Sequence, residues 1–554
     1  MADEQQDKPG PLDEAVSRLF GLSYLFPYQR LVVANILEAA ETAGIPVRWA
    51  EAATPQTAAL AEAAPAGAPE ALAQDSGGNP ADAAAPDSGP SDRECFGRQI
   101  VILPTGAGKS LCFQLPAMLM DGPTLVIYPI LSLMADQERR LKERGFSPVI
   151  LRGGQSREER ELIWEKLRAG QSKFIIANPE VLLTPQVLTQ IGKAKIIHIV
   201  IDEAHCVSEW GESFRPGYLE IGKIIAAANP PVITAFTATA SAPVLEKIDK
   251  YIFGGSGAHR ITHRIIGNPD RSNISYAACG CILRDQAVRD LLLSSQRPAI
   301  VFCSSRPGTE KLSRYLMNEL KDTGIAWYRE IRFYHAGLSR EEKKEVEDWF
   351  LHNREAVLIA TCAFGMGVDK ADIRTVIHRD CPPSVEAYLQ EAGRAGRDGL
   401  QSKAVLLWGP DDEAGIRRAG PGAAGKRLSE LLDYARDTAH CRREALLKML
   451  NYEGNPESPE TLCCDVCEKD ARPALREEES LTDFFRRNKR SYTLKEAARV
   501  LSQRENVRWS GEDAERCAAY LIKTGKLKKP KNIFWNIFWK DKITPGSAGR
   551  SVSR

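Results

Sequence analysis

Four stretches of this chain carry side chains whose types and spacing suit phosphate or metal chemistry. The first is Pro104-Thr105-Gly106-Ala107-Gly108-Lys109-Ser110, which follows the apolar run RQIVIL and precedes a helical stretch. Glycines let backbone N–H groups close around phosphate oxygens, and a helix N-terminus behind the loop adds its positive end. Thr105, Gly106 and Gly108 build this cradle. Lys109 is expected to reach the β- and γ-phosphates of ATP, and Ser110 to hold Mg²⁺ through its hydroxyl. The second stretch, Asp202-Glu203-Ala204-His205, ends the apolar run IIHIVI. A carboxylate at a strand's C-terminal end is where a Mg²⁺-binding Asp must sit, and Glu203 beside it can orient the attacking water. An uncompensated acid pair next to an apolar strand is costly, and Mg²⁺ removes that cost. The third stretch runs from Gln390 to Gly399, QEAGRAGRDG. Arg394 and Arg397 share a face if this segment is helical. A guanidinium is planar, always charged and bidentate, and so suits phosphate. An arginine reaching from one domain to phosphates held by another makes hydrolysis depend on domain closure. The fourth is Cys441 with Cys463, Cys464 and Cys467, four thiolates that suit tetrahedral Zn²⁺. With no open position left, its role is structural, and binding would contribute on the order of 10 kcal/mol to folding.

These groups need rigid elements to hold them. The chain has 554 residues, 43% hydrophobic and 27% charged, and its formal charge is 74 − 73 = +1. That length implies about three or four domains. No window offers about 18 uncharged apolar residues for a membrane span. The N-terminus MADEQQDKPG lacks a signal-peptide core. The expectation is a soluble, cytoplasmic protein with no membrane contact. Thirteen Cys, mostly scattered, argue against a disulfide framework. Charge is uneven: residues 1–97 carry 5 − 15 = −10, and residues 471–554 carry 20 − 10 = +10. A basic C-terminal module suggests nucleic acid.

Residues 12–40 read as helices, with Pro27 near a start. From Ala50 to about residue 92 the chain is Ala, Pro, Gly and acid, too poor in bulky apolar surface to pack, and is expected to be a disordered insertion. Beyond it, RQIVIL, PTLVIY, KFIIA, IIHIVID and PVITAFT are strand candidates, and PAIVFC, FYHA, AVLIA, TVIH and KAVLLW form a second series. Strands alternating with helices argue for parallel sheets covered on both faces. Residues 1–252 and 253–412 are thus expected as two α/β domains. A helical cysteine module (413–472), a small basic module (480–542) and a flexible tail (543–554) follow.

In this order the stretches resemble the RecQ family of DNA helicases, within the second helicase superfamily, from about residue 12 to 470. Tyr28-Gln29 matches the adenine-reading motif, PTGAGKS motif I, DEAH motif II, Phe236-Thr237-Ala238-Thr239-Ala240 motif III and IVFCSSR motif IV. The run from Ala360 to Lys370, ATCAFGMGVDK, matches motif V, and QEAGRAGRDG motif VI. The resemblance implies two tandem RecA-like domains, a helical zinc-binding subdomain and a winged-helix-like domain. It implies that Gln29 binds adenine and that Lys109, Asp202, Glu203, Gln390, Arg394 and Arg397 form the catalytic set. The segment CVSEWGESFRP looks like the RecQ aromatic-rich loop. Bases stack on Trp210 or Phe214 at ~1–3 kcal/mol each, Arg215 binds phosphate, and loop movement couples DNA to Glu203. The pattern C-R-R … C-C-D-x-C is that of the family's structural zinc site. Residues 481–540 resemble a winged helix, in which Lys528 and Lys529 face duplex phosphates, and Trp535 and Trp539 either stack on a terminal base pair or serve as core. The implied activity is ATP- and Mg²⁺-dependent 3′→5′ unwinding in DNA repair and recombination. The implied partners are single-stranded and duplex DNA, with single-strand-binding and recombination proteins, at the nucleoid. Three departures stand out, one of them Glu212-Ser213 in the aromatic-rich loop, where family members often carry other polar residues. Phe26 occupies the place where the family usually has Arg, and the Ala-rich insertion separates the adenine motif from the phosphate loop. Two rival readings are an RNA helicase and a DNA-binding scaffold with a vestigial ATPase; the aromatic loop speaks against the first and the intact Lys109, Asp202, Glu203 and Arg397 against the second.

Overall fold

The computed structural model describes residues 10–49, 97–104, 107–209, 216–254, 262–321, 323–364, 370–450, 452, 462–472, 474–502, 510–529 and 542–545. The Ala-rich insertion, Thr105, Gly106, Trp210, Phe214, Arg215, residues 365–369, the NIFWNIFW run and residues 546–554 lie outside these. The chain divides into two compact units, Met1–Pro269 with Leu450–Tyr452, and Asp270–Met449 with Glu453–Arg554.

The apolar runs of the first unit carry no polar alternation, which marks strands covered on both faces. They form a 7-stranded parallel sheet of β1 (Arg98–Ile102), β2 (Thr124–Ile127), β3 (Val149–Leu151), β4 (Phe174–Ala177), β5 (His198–Ile201), β6 (Val232–Thr237) and β7 (His263–Ile266). Their order is β3-β4-β2-β5-β6-β1-β7. Successive side chains point to opposite faces, so each strand feeds two cores. Ile100, Leu125, Ile175, Ile199 and Ile233 pack into one layer. Val101, Val126, Ile176, Val200 and Phe236 pack into the other, with the helix Pro27–Thr42. The helix Arg157–Arg168 starts at a capping box, Ser156 Oγ accepting from Glu159 N at 3.1 Å while Glu159 Oε2 accepts from Ser156 N at 2.7 Å.

The first compact unit runs to Pro269, within the stretch 253–275 where the sequence places the seam, and His263–Ile266 pairs with β1 at the edge of the first sheet. The second unit holds a 6-stranded parallel sheet of β8 (Ile274–Gly280), β9 (Ala299–Phe302), β10 (Ile331–Tyr334), β11 (Val357–Ala360), β12 (Thr375–His378) and β13 (Ser402–Trp408). Its order is β10-β11-β9-β12-β13-β8. The helices Pro410–Ala419, Ala423–Arg436 and Arg442–Met449 follow, then Arg476–Arg487, Leu494–Ser502 and Gly511–Lys523. β14 (Leu527–Lys528) and β15 (Thr544–Pro545) form an antiparallel pair. Three helices precede this strand pair, and the NIFWNIFW run on which the winged-helix expectation drew lies outside the described residues.

The cysteine and basic modules do not separate from the second sheet as compact units. Glu477, only 4% exposed, accepts from Ile282 N (2.8 Å) and Leu283 N (3.1 Å), and so caps the helix Arg284–Ser294. Gln286 Nε2 donates to Asp513 Oδ2 at 2.8 Å.

Candidate active site and metal centre

In parallel sheets, ligands collect at the carboxyl ends of the strands. Here β6 lies between β1 and β5, so the phosphate loop, Thr237 and the acid pair share one edge. Backbone bonds fix their spacing: Leu103 N donates to Thr237 O at 3.0 Å and Ala204 N to Phe236 O at 2.8 Å. Gly108 adopts φ 73°, and Lys109 opens the helix Lys109–Leu119. The positive φ favours glycine, and a Cβ at Gly108 would lie 2.5 Å from Gln29 Nε2 and push that amide aside. Gln29, 5% exposed, donates through Nε2 to Ala107 O at 2.9 Å and accepts at Oε1 from Phe26 N at 3.0 Å. One amide thus ties the helix Pro27–Thr42 to the phosphate loop. Beside it Phe26, 45% exposed, stacks on Tyr28 at 5.6 Å and 8°, with Tyr24 edge-on at 5.3 Å. Lys109 Nζ donates to Leu103 O at 3.3 Å, and Ser110 is half-buried.

Burial first, and then the neighbouring Glu203 charge, push the Asp202 carboxyl up to about 7, against the opposing pull of Lys109. A divalent cation relieves this, which is the fit expected of a Mg²⁺–nucleotide site. Glu203 sits at φ 50°, a strained region for a residue with a Cβ, and its N–H donates to Asp202 Oδ1 at 3.0 Å. His205, 3% exposed, places Nδ1 3.0 Å from Thr237 Oγ1 and 3.4 Å from Glu203 Oε2. The Thr237 hydroxyl donates to Thr239 O at 2.9 Å, so it accepts from His205 and fixes the proton on Nδ1. Tyr218 OH donates to Asp202 O at 3.2 Å, anchoring the far side of the acid pair. The sequence reading assigned no role to His205, Thr237 or Tyr218. The first two stood inside quoted motifs; a buried Tyr has no sequence signal.

In the second unit, the helix Val385–Ala392 is capped by Ser384 Oγ, which accepts from Ala387 N at 3.2 Å. Gln390 lies in this helix, but the helix ends before Arg394 and Arg397. The shared helical face is therefore corrected: both arginines sit on the turn that follows, Arg394 buried and Arg397 half-buried. Gly396 at φ 55° breaks the helical path there.

Among the described residues, the ligand atoms of Cys441, Cys463, Cys464 and Cys467 lie within 4.8 Å of one another. Cys441 Sγ is 3.6 Å from Cys463 Sγ and 3.9 Å from Cys464 Sγ. A tetrahedral Zn–S bond of about 2.3 Å requires sulfurs about 3.8 Å apart, so the four thiols fit zinc. Cys467 N donates to Cys464 Sγ at 3.4 Å. Arg442 bonds Asp465, between two of the ligands, and closes the module. Lys528, on β14, and Lys529 are exposed.

Two parallel α/β sheets, one with a phosphate-loop sequence and an acid pair on its carboxyl edge, place the chain in the class of proteins built from paired nucleotide-binding α/β units. The DEAD/DEAH box helicase model matches residues 89–248, and the helicase conserved C-terminal domain model residues 284–399. A crystal structure of the DUF1998 helicase MrfA bound to DNA shares the fold, with a TM-score of 0.50 and 16% identity, covering 99% of this chain and 64% of that one. The ATP-dependent DNA helicase RecQ of Bacillus subtilis is 32% identical over 422 residues, 73% of this chain and 68% of that protein. The RecQ of Haemophilus influenzae is 35% identical over 378 residues, 66% of this chain. The chain belongs to the RecQ family. It spans 58% of the length of the Haemophilus relative. Among the described residues no helix is long and apolar enough to cross a membrane.

Proposed function

We propose that this chain is an ATP- and Mg²⁺-dependent DNA helicase that moves 3′→5′ on single-stranded DNA and unwinds duplex during repair and recombination. The observation that carries this reading is the single edge holding Gln29, Lys109, Asp202 and Glu203 in a chain of RecQ descent. Gln29 binds the adenine, with Phe26 offering a ring face where the family usually has an arginine. Thr105, Gly106 and Gly108 shape the loop around the phosphates, and Lys109 neutralises the β- and γ-phosphates. Ser110 and Asp202 would hold Mg²⁺, which supplies charge neutralisation on the phosphate oxygens when bound. Glu203 orients the attacking water, and His205 with Thr237 steadies Glu203. Arg394 and Arg397, with Gln390, act on the γ-phosphate. Trp210, Phe214 and Arg215 sense the strand; Lys528 and Lys529 contact duplex phosphates. The four cysteines hold zinc as a structural centre. Strand separation makes and breaks no covalent bond in DNA, so the work is an isomerisation driven by ATP. Single-strand-binding and recombination proteins at the nucleoid are the partners this reading favours.

Opening a base-pair step costs roughly 1–2 kcal/mol, well within one hydrolysis per step. The test is unwinding of 3′-tailed, forked, junction, quadruplex and blunt DNA, with an RNA duplex as comparison. Lys109→Ala is expected to abolish unwinding and hydrolysis while DNA binding persists. Unimpaired unwinding by that variant would refute the site assignment, and a preference for RNA would refute the substrate.

A further inference from the structure

The arginine-bearing turn carries its own bonds from Ala395 N to Ala392 O (3.0 Å) and Gly399 N to Gly396 O (3.0 Å), and neighbouring segments hold its remaining carbonyls. Arg271 Nη1 donates to Gly393 O at 3.3 Å, and Nη2 donates to Ala395 O at 3.3 Å and Gly396 O at 2.8 Å. These three carbonyls flank Arg394 on both sides and stand directly before Arg397. Asn273 Nδ2 adds bonds to Gly396 O at 2.7 Å and Leu400 O at 2.9 Å. The fit has no slack: a Cβ at Gly396 would lie 2.5 Å from Asn273 Nδ2. The clasp rests on the cysteine module. Arg443, two residues after Cys441 and 2% exposed, donates through Nη1 to Asp270 Oδ1 at 2.8 Å. Its Nη2 donates to Ser272 O at 3.2 Å and Ile274 O at 3.0 Å. Residues 270–274 are thus gripped by Arg443 on one side and hold the arginine turn on the other.

We propose that Arg271 is a positioning residue for ATP hydrolysis, fixing the backbone from which Arg394 and Arg397 project, with the Arg443–Asp270 pair as its base. This rests on the reading that those two arginines act on the phosphates of ATP. Only a guanidinium supplies enough N–H donors in a fixed fork to serve three carbonyls; an ammonium is a compact charge on a flexible stem. A displacement of about 1 Å at a reacting group costs on the order of 100-fold in rate.

The experiment uses the full chain with its metal in place, comparing Arg271→Lys, Asn273→Ala and Arg397→Ala. For Arg271→Lys, the DNA-stimulated kcat is expected to fall about 10- to 100-fold. The KM for ATP, the Kd for single-stranded DNA and the melting temperature are expected to stay close to those of the parent. Asn273→Ala, which keeps the guanidinium, is expected to shift kcat in the same sense by less, and carries the test if Arg271→Lys does not fold. A parental kcat in both clasp variants, with Arg397→Ala inactive, overturns the positioning role. So does a parallel loss of kcat, ATP affinity and melting temperature, the mark of a merely structural residue. A parental rate in Arg397→Ala instead overturns the reading on which the proposal rests.

Discussion

His198 shows how a single titratable group ties the first sheet to pH. It lies in β5, fully buried, with Nε2 3.0 Å from Thr234 Oγ1. Burial pushes its pKa down to about 3, so the folded protein holds the ring neutral. In the unfolded chain the ring titrates near 6.5, and there it binds a proton that the folded state refuses. Stability from this group is therefore full above about pH 6.5 and is lost as pH falls toward 3. The loss at pH 5 is about 2 kcal/mol. A melting series from pH 7 to 5 is expected to fall more steeply for the parent than for His198→Asn; equal slopes would contradict this. Around the acid pair the opposite sense holds. Asp202 is raised to about 7, so its contribution to stability is full below the ordinary carboxyl range and is lost as pH rises to about 7, until a cation offsets the charge. That Lys109, Asp202 and Glu203 stand at one edge of the first sheet was legible from residue type and position alone, because a strand end is a fixed place in a parallel sheet. Phe26 read only as a departure from the family, and its exposed ring against Tyr28 gives that departure a surface.

At the level of elements, the buried strands announced themselves and the marginal ones did not. RQIVIL, IIHIVID and PVITAFT became β1, β5 and β6, since long apolar runs with little polar content suit a sheet covered on both faces. β3, β7 and β8 were not anticipated. Val149–Leu151 is three residues, too short to show a period. His263–Ile266 is an edge strand with half its side chains outward, and Ile274–Gly280 is diluted by Ser, Ala and Cys. The cysteine module read clearly, because the spacing of its four thiols is the one a metal such as zinc would require. Removing that metal is expected to loosen the helix Arg442–Met449 and its grip on β8, since the site would contribute on the order of 10 kcal/mol. Elemental analysis should find about one zinc per chain in the parent and little in Cys463→Ser, with faster proteolysis near residue 450 in the variant. Equal metal content and equal proteolysis would contradict the assignment.

On the scale of the whole molecule, the second unit joins three modules that the sequence suggested as separate. Glu477 is the pin, a buried carboxylate serving two backbone N–H groups of the second sheet's first crossover. Truncating it leaves those donors unsatisfied at about 1–3 kcal/mol each. Glu477→Ala is therefore expected to free the C-terminal module to proteolysis while the first unit melts unchanged; an unaltered digestion pattern would count against the pin. The reading as a motor needs both units, one holding the phosphate loop and acids, the other the arginine turn. Steady-state ATP turnover by the metal-loaded chain, with and without single-stranded DNA, tests that reading most directly. A rate that rises by at least about tenfold on adding the strand and vanishes in Lys109→Ala is the expected result. No ATP consumed in the presence of single-stranded DNA would contradict it.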